Sequence, residues 1–201
     1  TWKSFSNKTK LTFLLALTFL FLFSGCGQET VKQEYHDNGK LKRETHFEHG
    51  NRNGRDTWFY KTGQKMFEVH VKNGKAEGLR TEWYENGNKK KEGHYKDGNL
   101  DRNRRMTEWY ENGKKKSETH YKDGKKRSET HYKDGKKDGV WTGWYKDGTE
   151  QNERHYKDGK PDGVWTEWYE NGNKNETHYK DGKPDGVWTE WYEDGTERNE
   201  R

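Results

Sequence analysis

From residue 35 onward the chain repeats one cadence of apolar and polar positions. An aromatic residue or Val is followed three places on by Gly, at Tyr35, Phe47, Tyr60, Val71, Tyr84, Tyr95, Tyr110, Tyr121, Tyr132, Tyr145, Tyr156, Tyr169, Tyr179 and Tyr192. Only Gly39 is displaced, by one residue. The marks alternate between about 11 and about 13 residues apart, which defines a unit of about 24 residues. A fixed period of this length is the signature of stacked units that share a core with their neighbours.

Within a unit the polar and apolar positions predict strands. Val164-Trp165-Thr166-Glu167-Trp168-Tyr169 is rich in residues that favour strands, and Asn171-Gly172 after it is a hairpin signal. A charged return run, Lys174-Asn175-Glu176-Thr177-His178-Tyr179, closes on Lys180-Asp181-Gly182. Lys183-Pro184-Asp185-Gly186 then reads as a further turn, with Pro presetting φ and Gly free to take a positive one. One unit is thus expected to be a tight Asn-Gly hairpin followed by a looser connection.

Two irregularities break the period. Leu100–Arg105 lacks the glycine that other units place six before the Tyr, at Gly54, Gly78, Gly139, Gly163 and Gly186. Ser117–Gly124 recurs intact as Ser128–Gly135, so one return strand is duplicated near 125–135, and strand order is expected to be disturbed there. The chain opens on Thr1 and stops at Glu200-Arg201, where earlier units continue into His-Tyr, so it is read as part of a longer array.

Composition sharpens the fold. Mean hydropathy is −1.70 and 37% of residues are charged, a profile that by itself suggests disorder. Aromatics reverse that reading: beyond Cys26 the chain holds 9 Trp, 12 Tyr and 3 Phe, all recurring in register. Each aromatic buries about 150–250 Å², so an extended sheet with a shallow aromatic seam is expected. The formal charge of +5 includes Lys3, Lys8 and Lys10; without them 37 basic residues face 35 acidic ones, interspersed in every unit. Nucleic-acid binding requires a clustered basic surface, so no nucleic-acid partner is expected.

The first 26 residues stand apart. The three lysines precede an apolar run from Leu11 to Phe23, and Ser24-Gly25-Cys26 follows. This is the layout of an export signal, with a run too short for the roughly 20 residues of a spanning helix. Leu22-Phe23-Ser24-Gly25-Cys26 resembles the bacterial lipobox, with Phe23 where that motif prefers Leu. The resemblance implies cleavage before Cys26, the only cysteine, and its diacylation, a stable two-chain membrane anchor. Residues 27–34 then form a short linker leading into the array of 31–201. Gly27-Gln28, without Asp after the cysteine, implies outer-membrane sorting in a two-membrane organism.

The pattern Gly-Val-Trp-Thr-x-Trp-Tyr-x-Asn/Asp-Gly, a charged return strand and Tyr-Lys-Asp-Gly-Lys-x-Asp-Gly resembles the bacterial variant of the MORN repeat, over about seven imperfect units in 31–201. The resemblance implies an all-β, elongated, single-layer antiparallel sheet of tandem β-hairpins. It also implies a protein without catalytic residues; relatives are often named YwqK-type antitoxin components, and related arrays accompany lipid kinases and membrane-contact proteins. The expected function is a membrane-anchored binding or scaffold module at the bacterial cell envelope, in surface interaction or adhesion with an unknown protein partner. Neutralising a partner toxin and binding phospholipid are the alternatives. No cofactor is expected.

Two residue sets could carry chemistry. Glu-x-His recurs at Glu44/His46, Glu68/His70, Glu92/His94, Glu118/His120, Glu129/His131, Glu153/His155 and Glu176/His178, each pair on one face of its strand. A metal site needs three or four converging ligands, so the pattern reads instead as an exposed polar ladder. The pairs Trp141/Trp144, Trp165/Trp168 and Trp188/Trp191 lie three apart and so face opposite sides of a strand. Each side is then expected to carry a shallow seam; the row Trp144, Trp168 and Trp191 is the candidate binding surface if one row is exposed.

Overall fold

The computed structural model describes residues 29–186, 188–192 and 194–200. Cys26 and the export signal lie outside them. The described residues form one antiparallel sheet of 17 strands, from Glu29–Tyr35 to Glu197–Glu200, with no helix among them. Each strand pairs with a neighbour in sequence, and among the described residues no second layer covers either side. Among the described residues Val69 and Val71 are the buried apolar side chains, whereas Thr45, Thr57, Thr81, Thr107, Thr119, Thr130 and Thr166 are also buried. Aromatic rings are mostly half-buried and are covered by cations: Arg43 over Trp58 at 4.7 Å, Arg80 over Phe67 at 4.6 Å. The expected aromatic seam is therefore an aromatic–cation seam.

The two connections of a unit are the reverse of the expected ones. Asp181 and Gly182 both take positive φ, 50° and 90°, and Lys180 pairs with Lys183. That is a two-residue turn of the hairpin type. At Asn171-Gly172 only the glycine is left-handed; Gly172 N donates to Tyr169 O at 2.9 Å and Tyr169 N to Asn173 O at 2.7 Å, a wider loop. Asp tolerates the left-handed region by short-range hydrogen bonding, which lets Asp-Gly make the tighter turn. Lys183-Pro184 is strand, with Pro184 opposite Tyr179, and does not open the expected turn. Pro161 lies in the strand Lys160–Trp168 opposite Tyr156.

The glycine six before the Tyr is demanded by geometry. At Gly163 φ is 112°, and a Cβ there would meet the His155 Cβ at 3.0 Å. Where Leu100–Arg105 has lost this glycine, the strand splits into Asn99–Leu100 and Arg105–Trp109 around a turn, with Arg104 N donating to Asp101 O.

The duplicated strand does not disturb strand order. Lys115–Lys122 pairs with Lys125–Lys133, which pairs with Lys136–Trp144. What changes is the orientation of everything after it. Thr57, Glu68, Thr81, Glu92, Thr107 and Glu118 oppose one another in turn and share one side, here the front. The duplicate then sets Thr130, not Glu129, opposite Glu118, and Glu129 opposite Thr119 on the back. The same column continues on the back as Glu129, Thr142, Glu153, Thr166 and Glu176. One extra strand in an antiparallel meander reverses the direction of all that follow. The later units are thus turned half a revolution about the long axis of the sheet. Edges exchange with faces: Lys114 of a Tyr-x-Asn-Gly loop meets Asp134 of a Lys-Asp-Gly turn at 2.8 Å, and Lys125 Nζ donates to Asp147 O at 2.7 Å.

Candidate binding surfaces

The repeated column carries a Trp at its strand end. Trp83 lies under the Lys65 amine at 5.5 Å and Trp109 under Lys89 at 5.5 Å. These lysines also reach Glu68 and Glu92, at 2.7 and 2.6 Å. Lys65 and Glu68 share a face although three apart, because the register shifts by one between Trp58 and Phe59, leaving Met66 as the extra residue of a bulge. Between Trp168 and Glu176 no such shift occurs, and the pair is made instead by Lys174 and Glu176, two apart, at 2.6 Å.

In the later units the same arrangement stands on the back. Lys126 lies over Trp144 at 5.7 Å and Lys174 over Trp191 at 5.9 Å. Beside Trp168 the corresponding position is Glu150. Trp144, Trp168 and Trp191 do share one side, as the sequence pattern requires, but all three are half-buried. Their equivalents Trp83 and Trp109, on the front, did not stand out in the sequence because no Trp precedes them by three.

The other member of each pair, Trp141 and Trp165, is on the front with the Arg154 guanidinium between them, 4.9 and 5.0 Å from the two ring centroids. Arg154 Nη2 donates to Glu167 Oε1 at 2.6 Å. Each side therefore has its own seam, with ring faces engaged by neighbouring cations.

Units are tied at their loops. Tyr60, Tyr84 and Tyr145 hydroxyls donate to the carbonyls of Trp83, Trp109 and Trp168, at 2.8, 2.9 and 2.6 Å, and His36 makes the same contact to Phe59 O at 2.9 Å. Tyr110 is exposed, at the point where the next loop of its kind has moved to the other edge.

Glu-x-His contacts within a strand are made by His46 with Glu44 at 3.4 Å, His120 with Glu118 at 3.0 Å and His155 with Glu153 at 2.8 Å. Among the described residues no group of three His, Cys, Asp or Glu side chains converges. Burial opposes ionisation of Glu118, but hydrogen bonds from Lys115 and His120 and the charges of Lys115 and Arg105 outweigh it, lowering its pKa from 4.5 to about 2. A depressed folded-state value stabilises the fold above pH 4.5, and that contribution disappears as pH falls toward 2. Glu118→Gln is therefore expected to lower the melting temperature at neutral pH and to converge with the unaltered chain near pH 2. Parallel curves across that window would show that Glu118 is not ionised by its neighbours.

The MORN repeat variant family matches the chain at residues 28–49, 76–97, 105–123 and 161–181. No curated protein matches it. The four matched segments fall on both sides of the duplicated strand, and each spans a charged return strand or the hairpin leading into one. Four segments of the hairpin array thus match the MORN repeat variant, and such repeats suggest a repeat-based binding module.

Proposed function

We propose that this chain is a non-enzymatic scaffold of the bacterial cell envelope, tethered through a lipid on Cys26 and presenting its repeats to protein partners. The observation that carries the scaffold reading is the reversal at Lys125–Lys133. It turns one kind of surface, the Glu–Thr column ending in lysine-capped Trp, to the front before the reversal and to the back after it. A sheet with equivalent surfaces on opposite sides is suited to holding two bodies, one on each side. The anchor rests on Leu22–Cys26, and the short run to Glu29 would hold the first strand close to the lipid surface.

Membrane fractionation of Cys26→Ala tests the tether. Release of that variant into the soluble fraction, with a diacyl mass on the N-terminal cysteine of the unaltered protein, is the expected result. Unchanged fractionation without acyl mass would remove the envelope assignment. Capture from envelope extracts is then compared between the full chain and a Trp144→Ser, Trp168→Ser, Trp191→Ser variant that keeps its β-sheet far-UV signal. Loss of a partner only from the variant would assign the back row to it.

A further inference from the structure

Three tryptophans on the front of the later units, Trp141, Trp165 and Trp188, bound two successive slots. The strand between Trp141 and Trp165 contributes Arg154, directly opposite both. Its guanidinium fills the first slot, 4.9 and 5.0 Å from the rings, and its outer edge is held by Glu167. One unit on, the equivalent position is Thr177. It lies opposite Trp165, and the pairing of Glu176 with Thr189 sets Trp188 on its other side. Threonine is too short to reach between the rings.

The second slot is accordingly open. A cavity of about 200 Å³ is lined there by Thr177, His178, Tyr179, Pro184, Gly186 and Trp188. Tyr179 packs against Trp165 with centroids 4.5 Å apart and forms one wall. Trp188 forms the other. The carboxylate corresponding to Glu167 is Glu190, on the same side of the sheet. Arg198 approaches it at 3.7 Å, too far for a hydrogen bond, so Glu190 can still accept one from an incoming donor.

We propose that this second slot binds an arginine side chain of a partner protein, in the place where the first slot holds the chain's own Arg154. The occupied neighbour is the template: aromatic walls, a planar cation between them and one carboxylate at the rim. A guanidinium suits such a site because it is flat, weakly hydrated and able to stack while its edge donates to Glu190. Lysine presents a compact, strongly hydrated point charge and gains less from two ring walls. The inference deepens the scaffold reading by naming the chemistry of one partner contact, and it rests on that reading only for the claim that the arginine belongs to another protein.

The test uses the full chain in a neutral detergent, with assigned indole N–H signals in ¹H–¹⁵N spectra. Nα-acetyl-arginine amide is the probe, and its neutral citrulline counterpart is the control. Saturable shifts at Trp188 and Trp165 with arginine, and at least a several-fold weaker response with citrulline, are expected. Equal responses to both, or no saturable shift, would overturn the proposal. Thr177→Arg should fill the slot from within and abolish the titration, while Arg154→Thr should open the first slot and add a saturable shift at Trp141. Arginine binding that survives Thr177→Arg in a folded protein would place it elsewhere and equally overturn the proposal. Neither the tether nor a natural partner enters the measurement, so its failure is separate from a failure of the envelope reading.

Discussion

Cysteines introduced in place of Thr119 and Glu129, or of Glu118 and Thr130, should form disulfides readily, while cysteines in place of Glu118 and Glu129 should stay reduced. The first two pairs are directly opposite across the strands Lys115–Lys122 and Lys125–Lys133. Directly opposite residues in an antiparallel pair have Cα atoms about 4.5–5.5 Å apart with side chains on one side, within the range a disulfide spans. Glu118 and Glu129 occupy the same place in their repeats, but the reversal puts them on opposite sides, so their Cβ vectors diverge. With Cys26→Ala as background, mild oxidation and mass spectrometry read the result directly. A Glu118–Glu129 cross-link, with the other pairs silent, would mean that every unit keeps its face and that the two-sided scaffold does not exist.

The companion experiment removes residues 117–127. Lys116 is then joined to Ser128, which restores the regular spacing of the marks from Tyr110 through Tyr132 to Tyr145. The later units would turn back, bringing Trp144, Trp168 and Trp191 to the side of Trp83 and Trp109. Tyr110 would gain the carbonyl of Trp144 as its partner, by analogy with Tyr84 and Trp109. The shortened chain should therefore keep its sheet and lose only its second, opposed surface.

The sheet itself was legible because it depends on short-range chemistry. Strand-forming runs, left-handed glycines and a fixed period each constrain only a few adjacent residues. The loss of glycine at Leu100–Arg105 was equally readable, and it breaks the strand there. The consequence of duplicating Ser117–Gly124 was not, although both copies are visible in the sequence. Strand direction follows from the number of strands, but the face that the later side chains take depends on the register between the two copies, which a bulge at Arg127 adjusts by one residue. Register is a property of pairs, and a one-residue slip exchanges every side chain between faces. The turn types were inverted for a related reason. Asn-Gly and Asp-Gly are both hairpin signals, and the number of residues before the strands rejoin decides which is tight. Trp144, Trp168 and Trp191 share one side of the sheet, but the lysines over Trp144 and Trp191 come from the adjacent strand across the register, so they are not readable from the Trp positions alone.

Arg43→Ala should be the most destabilising single substitution in the early units. Asp56 is 4% exposed in a sheet with no second layer, and its carboxylate is held mainly by Arg43. Arg43 Nε donates to Oδ1 at 3.0 Å and Nη2 to Oδ2 at 2.7 Å, a two-pronged contact that fixes both oxygens. The Thr45 hydroxyl donates to Oδ1 at 3.4 Å, and Arg52 comes to 3.6 Å of Oδ2. The Arg43 guanidinium also covers Trp58, which stacks on Phe67 with centroids 5.6 Å apart. Removing one partner of a buried ion pair costs about 3–5 kcal/mol, since the remaining charge stays desolvated. Arg52 remains within reach of Asp56, which places the expected cost near the lower end. In a repeat array contacts are nearest-neighbour, so the loss should be local. Hydrogen exchange should rise across Leu41–Glu48 and Asn51–Phe59 and stay unchanged beyond Lys136. Replacing both groups, Arg43→Met with Asp56→Leu, should recover much of the stability, because the pair is then exchanged for apolar contact with Trp58. A cost below about 1 kcal/mol for Arg43→Ala would show that the pair is solvated like a surface ion pair, and that the early units are held by their rings and backbone ladder instead.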